Sequence, residues 1–156
     1  MSWTIATHHQ PVWRSRANFI VAAKVDDTHW EQLWTQRLEH NQYLICCIPF
    51  FVYDLALGDV VSTQPRDSKQ YVVEQVVNPS SHFTFRVWFE GVTDQSVRED
   101  VRAFLIHEGC ASEWWSNDLL AIDAADSDVA QRVANYLHEE EKLGHFSFET
   151  GLLHGR

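Results

Sequence analysis

Two hydrophobic periods divide the chain. In the first half the period is two: Phe19, Val21 and Ala23 alternate with Ile20, Ala22 and Lys24, so Val12 to Val25 predicts a first strand ending at the turn-prone Asp26-Asp27. Thr28 to Leu38 reads two ways. Thr28-His29-Trp30-Glu31 has the form of a helix capping box, and Trp30, Leu33 and Trp34 lie at helical spacing. Against that, the polar Glu39-His40-Asn41-Gln42 leads straight into Tyr43-Leu44-Ile45, as in a hairpin of Trp30 to Leu38 with Tyr43 to Ile48. The longest apolar block, Cys47 to Val61, is expected in the middle of a β core. Pro49 cuts the strand that ends at Ile48, and Gly58-Asp59 turns the chain into Val60-Val61. Gln64 to Ser68 predicts a turn and Gln70 to Val77 a strand. Asn78-Pro79-Ser80-Ser81 then separates a β-rich unit, residues 1–79, from a second unit, residues 80–156.

The second unit opens with Phe83, Phe85, Val87 and Phe89 on one face of a strand and Thr84, Arg86 and Trp88 on the other. Val97, Val101, Phe104, Leu105 and Glu108 then share one helical face, with Thr93-Asp94 to cap its start and Gly109 to end it. Ser112 to Ser116 and Leu119 to Asp123 form a hairpin about Asn117-Asp118. After Ser127-Asp128 comes a helix with the stripe Val129, Ala130, Val133 and Leu137, ended by Gly144, and Phe146 to Leu153 closes as a strand. The order β-α-β-β-α-β is that of a ferredoxin-like subdomain, whose helices cover one sheet face. The expected fold is therefore α+β: an N-terminal antiparallel β subdomain, small and barrel-like, and a C-terminal ferredoxin-like subdomain, packed as one unit. The open face, with Thr84, Arg86, Trp88 and one of Trp114 and Trp115, must dock on the first unit or bind something. Met1 to Gln10 shows no pattern and reads as a loose arm, with the role of Trp3 open.

Charge sharpens the picture. The net charge is -10, and it is uneven: residues 1–90 hold 7 Lys+Arg against 9 Asp+Glu, residues 91–156 hold 5 against 13. An acidic C-terminal half repels nucleic acid and anionic membrane and attracts basic proteins. Three cysteines, two of them adjacent, fit neither a zinc nor a redox spacing and read as buried thiols, so no cofactor or metal is expected. Nothing at the N-terminus has the form of a secretion signal, and the block from Leu44 to Tyr53 is too short to cross a bilayer. The expectation is a cytoplasmic monomer.

Taken together, Trp30-Glu31-x-Leu33-Trp34, Ile48-Pro49-Phe50-Phe51, Ala56-Leu57-Gly58-Asp59-Val60-Val61 and Ser81-His82-x-Thr84-x-Arg86 resemble a family of small bacterial proteins catalogued as a domain of unknown function. The resemblance runs from about Ala22 to Leu153. It implies a β-rich N-terminal part, which turns Trp30 to Leu38 toward a strand, and it implies no reaction. The chain departs from the family where Ser80 precedes Ser81-His82 in place of a Ser-Gly pair.

Catalytic constellations are thin. Ser81, His82 and Asp54 or Asp59 supply the residue types of a hydrolytic triad, but neighbours on a strand point apart and no nucleophile elbow accompanies them. His8-His9, His107, His138, His145 and His154 lack metal-ligand spacing. Asp54 and Asp59 as an acid/base pair compete with an ordinary turn role for the Gly-Asp step. Two function classes follow. The first is a non-catalytic inhibitor of a basic partner, such as the immunity partner of a nuclease-type bacterial toxin. Glu113, Trp114, Trp115 and Asp118 at the hairpin, Asp123, Asp126 and Asp128 beside it, and Glu139-Glu140-Glu141 would carry the contact. The second is a small-ligand regulatory module with a pocket between the subdomains, lined by Phe50, Tyr53, His82 and Trp88.

Overall fold

The computed structural model describes residues 4–152. Trp3, Leu153 and His154 lie outside the described residues. The first half supplies strands β1 (Ile5–Ala6), β2 (Phe19–Lys24), β3 (Trp30–Arg37), β4 (Tyr43–Ile45), β5 (Val60–Arg66) and β6 (Lys69–Asn78). Their order is β1-β3-β2-β6-β5-β4, and β3 also pairs with β4, so five strands close into a barrel while β1 lies parallel along β3. Alternation puts Val21, Ala23, Leu33, Tyr43, Ile45 and Val61 inside. Residues 30–37 are strand because their partners on both sides are strands; Trp34, which shares a helical stripe with Trp30 in sequence, turns its indole N–H to the carbonyl of His8.

Several boundaries differ from expectation for local reasons. The first strand begins at Phe19, because Pro11 to Ala17 winds through local bonds, Arg14 N–H to Pro11 and Arg16 N–H to Trp13, with Trp13 N–H on Cys46. The turn after β5 is Asp67-Ser68 alone, both at positive φ (50° and 66°). Gln64, Pro65 and Arg66 stay in the strand with an irregular register around the proline. β4 stops at Ile45, and the apolar block that follows has no strand until Val60. The described part of the N-terminal arm, from Thr4 on, is tied down rather than loose: the Thr4 carbonyl accepts from Trp30 N–H, and Ala6 and His8 are buried.

The second half is β7 (Phe83–Trp88), α1 (Gln95–His107), β8 (Ala111–Trp114), β9 (Leu119–Ala124), α2 (Ser127–Lys142) and β10 (Ser147–Thr150). The sheet order is β10-β7-β9-β8, antiparallel throughout. Asp94 caps α1 through the Ser96 N–H, and Asp126 caps α2 through the Val129 N–H. Phe85, Val87, Phe89, Leu120 and Ile122 meet Val101, Leu105, Val133 and Leu137, so both helices cover one face. The other face meets the barrel side through Leu119 and Ala121 against Ile48 and Phe50. No helix among the described residues is long and apolar enough to cross a membrane.

Candidate binding cleft between the two sheets

The segment from Cys46 to Asp59 crosses from barrel to sheet without strand partners, so its backbone donors need other acceptors. Three buried carboxylates supply several of them. Glu31, at a core-facing position of β3, accepts from the N–H groups of Phe50 (2.8 Å), Phe51 (2.9 Å) and Val52 (3.1 Å). Glu113 on β8 accepts from Ile48 N–H at 2.6 Å and Val12 N–H at 3.4 Å. Asp59 accepts from Ala56 N–H at 2.9 Å and Ser80 N–H at 2.7 Å. Gly58 makes the preceding turn at φ +86°, with Ser80, Trp13 and His82 packed close above it.

His8 joins the two larger knots. Its Nδ1 lies 2.8 Å from Glu113 and its Nε2 2.7 Å from Glu31, while its ring stacks on Phe50 at 4.1 Å. Two carboxylates facing both ring nitrogens call for both to carry protons, an imidazolium. Burial opposes that charge, but the Cys47 thiol and the carboxylates of Glu113 and Glu31 outweigh it and raise the His8 pKa to about 12. Burial pushes Glu31 up, yet His8 and the amides of Phe50 and Phe51 bring it below its ordinary value. The knot is closed to solvent: His8, Glu31 and Cys47 are all buried, and burial raises the Cys47 thiol. It positions Pro49 to Val52; it is not itself accessible to a substrate.

Above the positioned loop lies a cleft of about 260 Å3 lined by Phe50, Phe51, Arg86, Trp88, Leu119, Ser147, Phe148 and Glu149. Its one strongly buried polar member is Arg86, 2 % exposed. Arg86 Nη1 donates to the carbonyls of Pro49 (3.1 Å) and Val52 (3.0 Å), and Nε reaches Glu149 Oε1 at 3.3 Å. Nη2 is buried and has no partner among the described residues. Tyr53 stands over the guanidinium at 4.7 Å and donates its hydroxyl to Glu149 Oε2, a bond that raises the Tyr53 pKa. A second, smaller hollow of about 50 Å3 lies between β7 and residues 150–152, lined by Leu55, His82, Thr84 and Gly151 among others.

The residues expected to form one pocket are thus divided. Phe50 and Trp88 share the cleft, Tyr53 stands at the Arg86 guanidinium, and His82 lines the smaller hollow with its Nδ1 at 2.8 Å from Asp123. The expected acidic surface is divided too. Glu113 and Asp123 are 5 % and 4 % exposed and serve the interior, so neither can meet a partner. Burial raises Asp123 to about 6 despite the opposing His82. Asp118 is bridged to Arg98 at 3.1 Å, Asp126 caps α2, and Trp115 packs edge-on against Phe51 at 4.9 Å. Glu141 accepts from Phe148 N–H, Glu140 holds His145, and Glu139 bridges to Lys142. Asp128 and Trp114 remain exposed. Of the triad types, Ser81 donates toward the Ala125 carbonyl while His82 binds Asp123, so the two do not face each other as nucleophile and base.

His8, Glu31 and Arg86 are the residues that reading by segments undervalues. Glu31 carried a signal, an acid in phase with Leu33 and Thr35 on the barrel-facing side of its strand; His8 carried none, since its partners lie 23 and 105 positions away.

No curated protein matches the chain. Among solved structures, a hypothetical protein from Neisseria gonorrhoeae is similar, with a TM-score of 0.73 over 89 % of this chain and 99 % of that one at 16 % identity, a likeness of fold. Residues 31–148, which hold the loop knotted by Glu31 and the strand that carries Glu113, match a sequence family, and the chain belongs to that family, described as a domain of unknown function, DUF4265.

Proposed function

We propose that this chain acts without catalysis, as a binding protein whose site is the cleft between the barrel and the C-terminal sheet. The observation that carries this reading is a buried guanidinium, with an N–H that has no partner among the described residues, set in the wall of a largely aromatic cleft. Ligand sites favour such interfaces, apolar with a few placed polar groups. The order β10-β7-β9-β8 supports a ferredoxin-like reading of the C-terminal unit, in which the helix-free sheet face builds the site. A thermal-shift screen of small metabolites tests it, with hits followed at the Trp88 indole by NMR. The reading fails if every compound that raises the melting temperature leaves Trp88 unperturbed.

A second reading rests on the charge asymmetry, 5 Lys+Arg against 13 Asp+Glu in residues 91–156. It casts the chain as a cytoplasmic inhibitor of a basic partner, the immunity protein of a bacterial toxin. Its surface would be the exposed acids of α2, Asp128 and Glu139, with Trp114 at the sheet edge. Affinity capture from the host lysate at low and high salt tests it: a single basic protein, retained in equal amount and released by salt, supports it. Capture unaffected by charge reversal at Asp128 and Glu139 counts against it.

A further inference from the structure

We propose that the cleft takes a small carboxylic acid with an apolar or one-ring body, and that the ligand's carboxylate displaces Glu149 from Arg86. This rests on the cleft being the binding site, and it names the ligand class. The Nε–H of a guanidinium and the nearer Nη2–H lie on one edge, parallel and spaced to meet both oxygens of a carboxylate. Glu149 uses half of that edge, reaching Nε at 3.3 Å while its other oxygen is held by the Tyr53 hydroxyl. Nη2 is left buried and without a partner among the described residues, an arrangement that leaves a strong donor unspent.

The pieces that would have to move are the ones free to do so. The Glu149 side chain is 47 % exposed and Tyr53 is 38 % exposed, whereas Arg86 is fixed by two backbone carbonyls of the loop that Glu31 and Glu113 hold. Swinging Glu149 outward opens the Nε and Nη2 edge and leaves the core unchanged. One negative charge departs and one arrives, so a monoanion conserves the charge beside Arg86 and a dianion does not. Phe50, Phe51, Trp88, Leu119 and Phe148 then receive the body of the acid. At about 260 Å3 the cleft falls below the usual range of drug-sized pockets, which suits one ring or a short chain.

The test uses the full chain and three acids, phenylacetate, indole-3-acetate and hexanoate, each beside its primary amide. Titrations are followed by heteronuclear NMR at the Trp88 indole N–H, identified with W88F. The expected result is that one or more acids shift that resonance with an affinity at least about tenfold above the matching amide. E149Q, which removes the competing carboxylate, should bind the same acid roughly threefold tighter or better. R86K keeps the charge and loses the fork, so binding should drop; if R86K fails to fold, E149Q and the acid-to-amide ratio decide. Amides that bind as well as acids overturn the carboxylate assignment and leave the cleft reading standing. An unchanged or weakened affinity in E149Q overturns the displacement. No perturbation of Trp88 by any of the six compounds at millimolar concentration overturns the proposal, and the cleft reading then stands or falls on the wider screen.

Discussion

His8 and Glu113 are 105 positions apart and meet at 2.8 Å, inside the junction between the barrel and the C-terminal sheet. The same imidazole touches Glu31 of β3 at 2.7 Å, so one side chain from the N-terminal arm ties both halves together. The geometry makes the arm part of the core.

Removing that imidazole should leave two buried carboxylates without their shared cation. H8A is expected to lose about 3–5 kcal/mol of stability by urea unfolding. D128N, at an exposed position of α2, should stay within about 0.5 kcal/mol of the parent. Comparable losses from the two would contradict the division between interior and surface acids.

The pH profile follows from the same knot. The His8 pKa rises on folding from 6.5 to about 12, so its contribution is complete below 6.5 and declines as the pH climbs above it. The Glu31 pKa falls below 4.5 on folding, so its contribution is present above 4.5 and is lost in acid. Asp123, raised from 3.8 to about 6, favours the folded state most at its acidic end and gives up that contribution between those values. Melting temperatures measured from pH 6 to pH 9 should therefore fall with rising pH. A profile that rises up to about pH 6.5 and is flat above it would mean that His8 is buried neutral.

Gly151 is held where β7, β10 and the loop at Asp54 converge: its N–H donates to the Thr84 carbonyl and its carbonyl accepts from Asp54 N–H. A Cβ there would lie 2.9 Å from the Cβ of Thr84. G151A should cost about 1–3 kcal/mol by overpacking, read as a lower melting temperature, because the obstacle is the Cβ of Thr84, which β7 holds in place. A neutral outcome would show that the end of β10 can lift away.

The cysteines should label in a fixed order. Cys46 and Cys47 are fully covered, whereas Cys110 is partly exposed, and burial raises both Cys46 and Cys110 to about 11. Iodoacetamide on the native protein, followed by mass spectrometry, should modify Cys110 slowly, and Cys46 and Cys47 only after denaturant is added.

Periodicity told most where each element needs one apolar face. The alternation through β7 and the stripes of α1 and α2 located those elements within a few residues, and the Asn117-Asp118 turn separated β8 from β9. It told least where the chain is apolar on all sides. Cys47 to Val61 reads as the middle of a β core, cut at Pro49, yet Cys46 to Asp59 lies between two units with no strand of its own, and several of its backbone donors go to Glu31, Glu113 and Asp59. The misassigned acids share that cause: Glu113 and Asp123 look like surface charge until the loop and the histidine that they satisfy are in place.

Alternating β and α segments, a strand whose two faces differ, an acidic second half and the want of a nucleophile motif are legible in the chain, because each is written in neighbouring residues. Which charges are interior, that an arm without pattern supplies the central cation, and that Arg86 Nη2 lies buried with no partner among the described residues came from the fold alone. Those are outcomes of pairing between residues tens of positions apart, where a carboxylate is stabilised by the amides and the imidazole it meets, and no local spacing encodes the meeting.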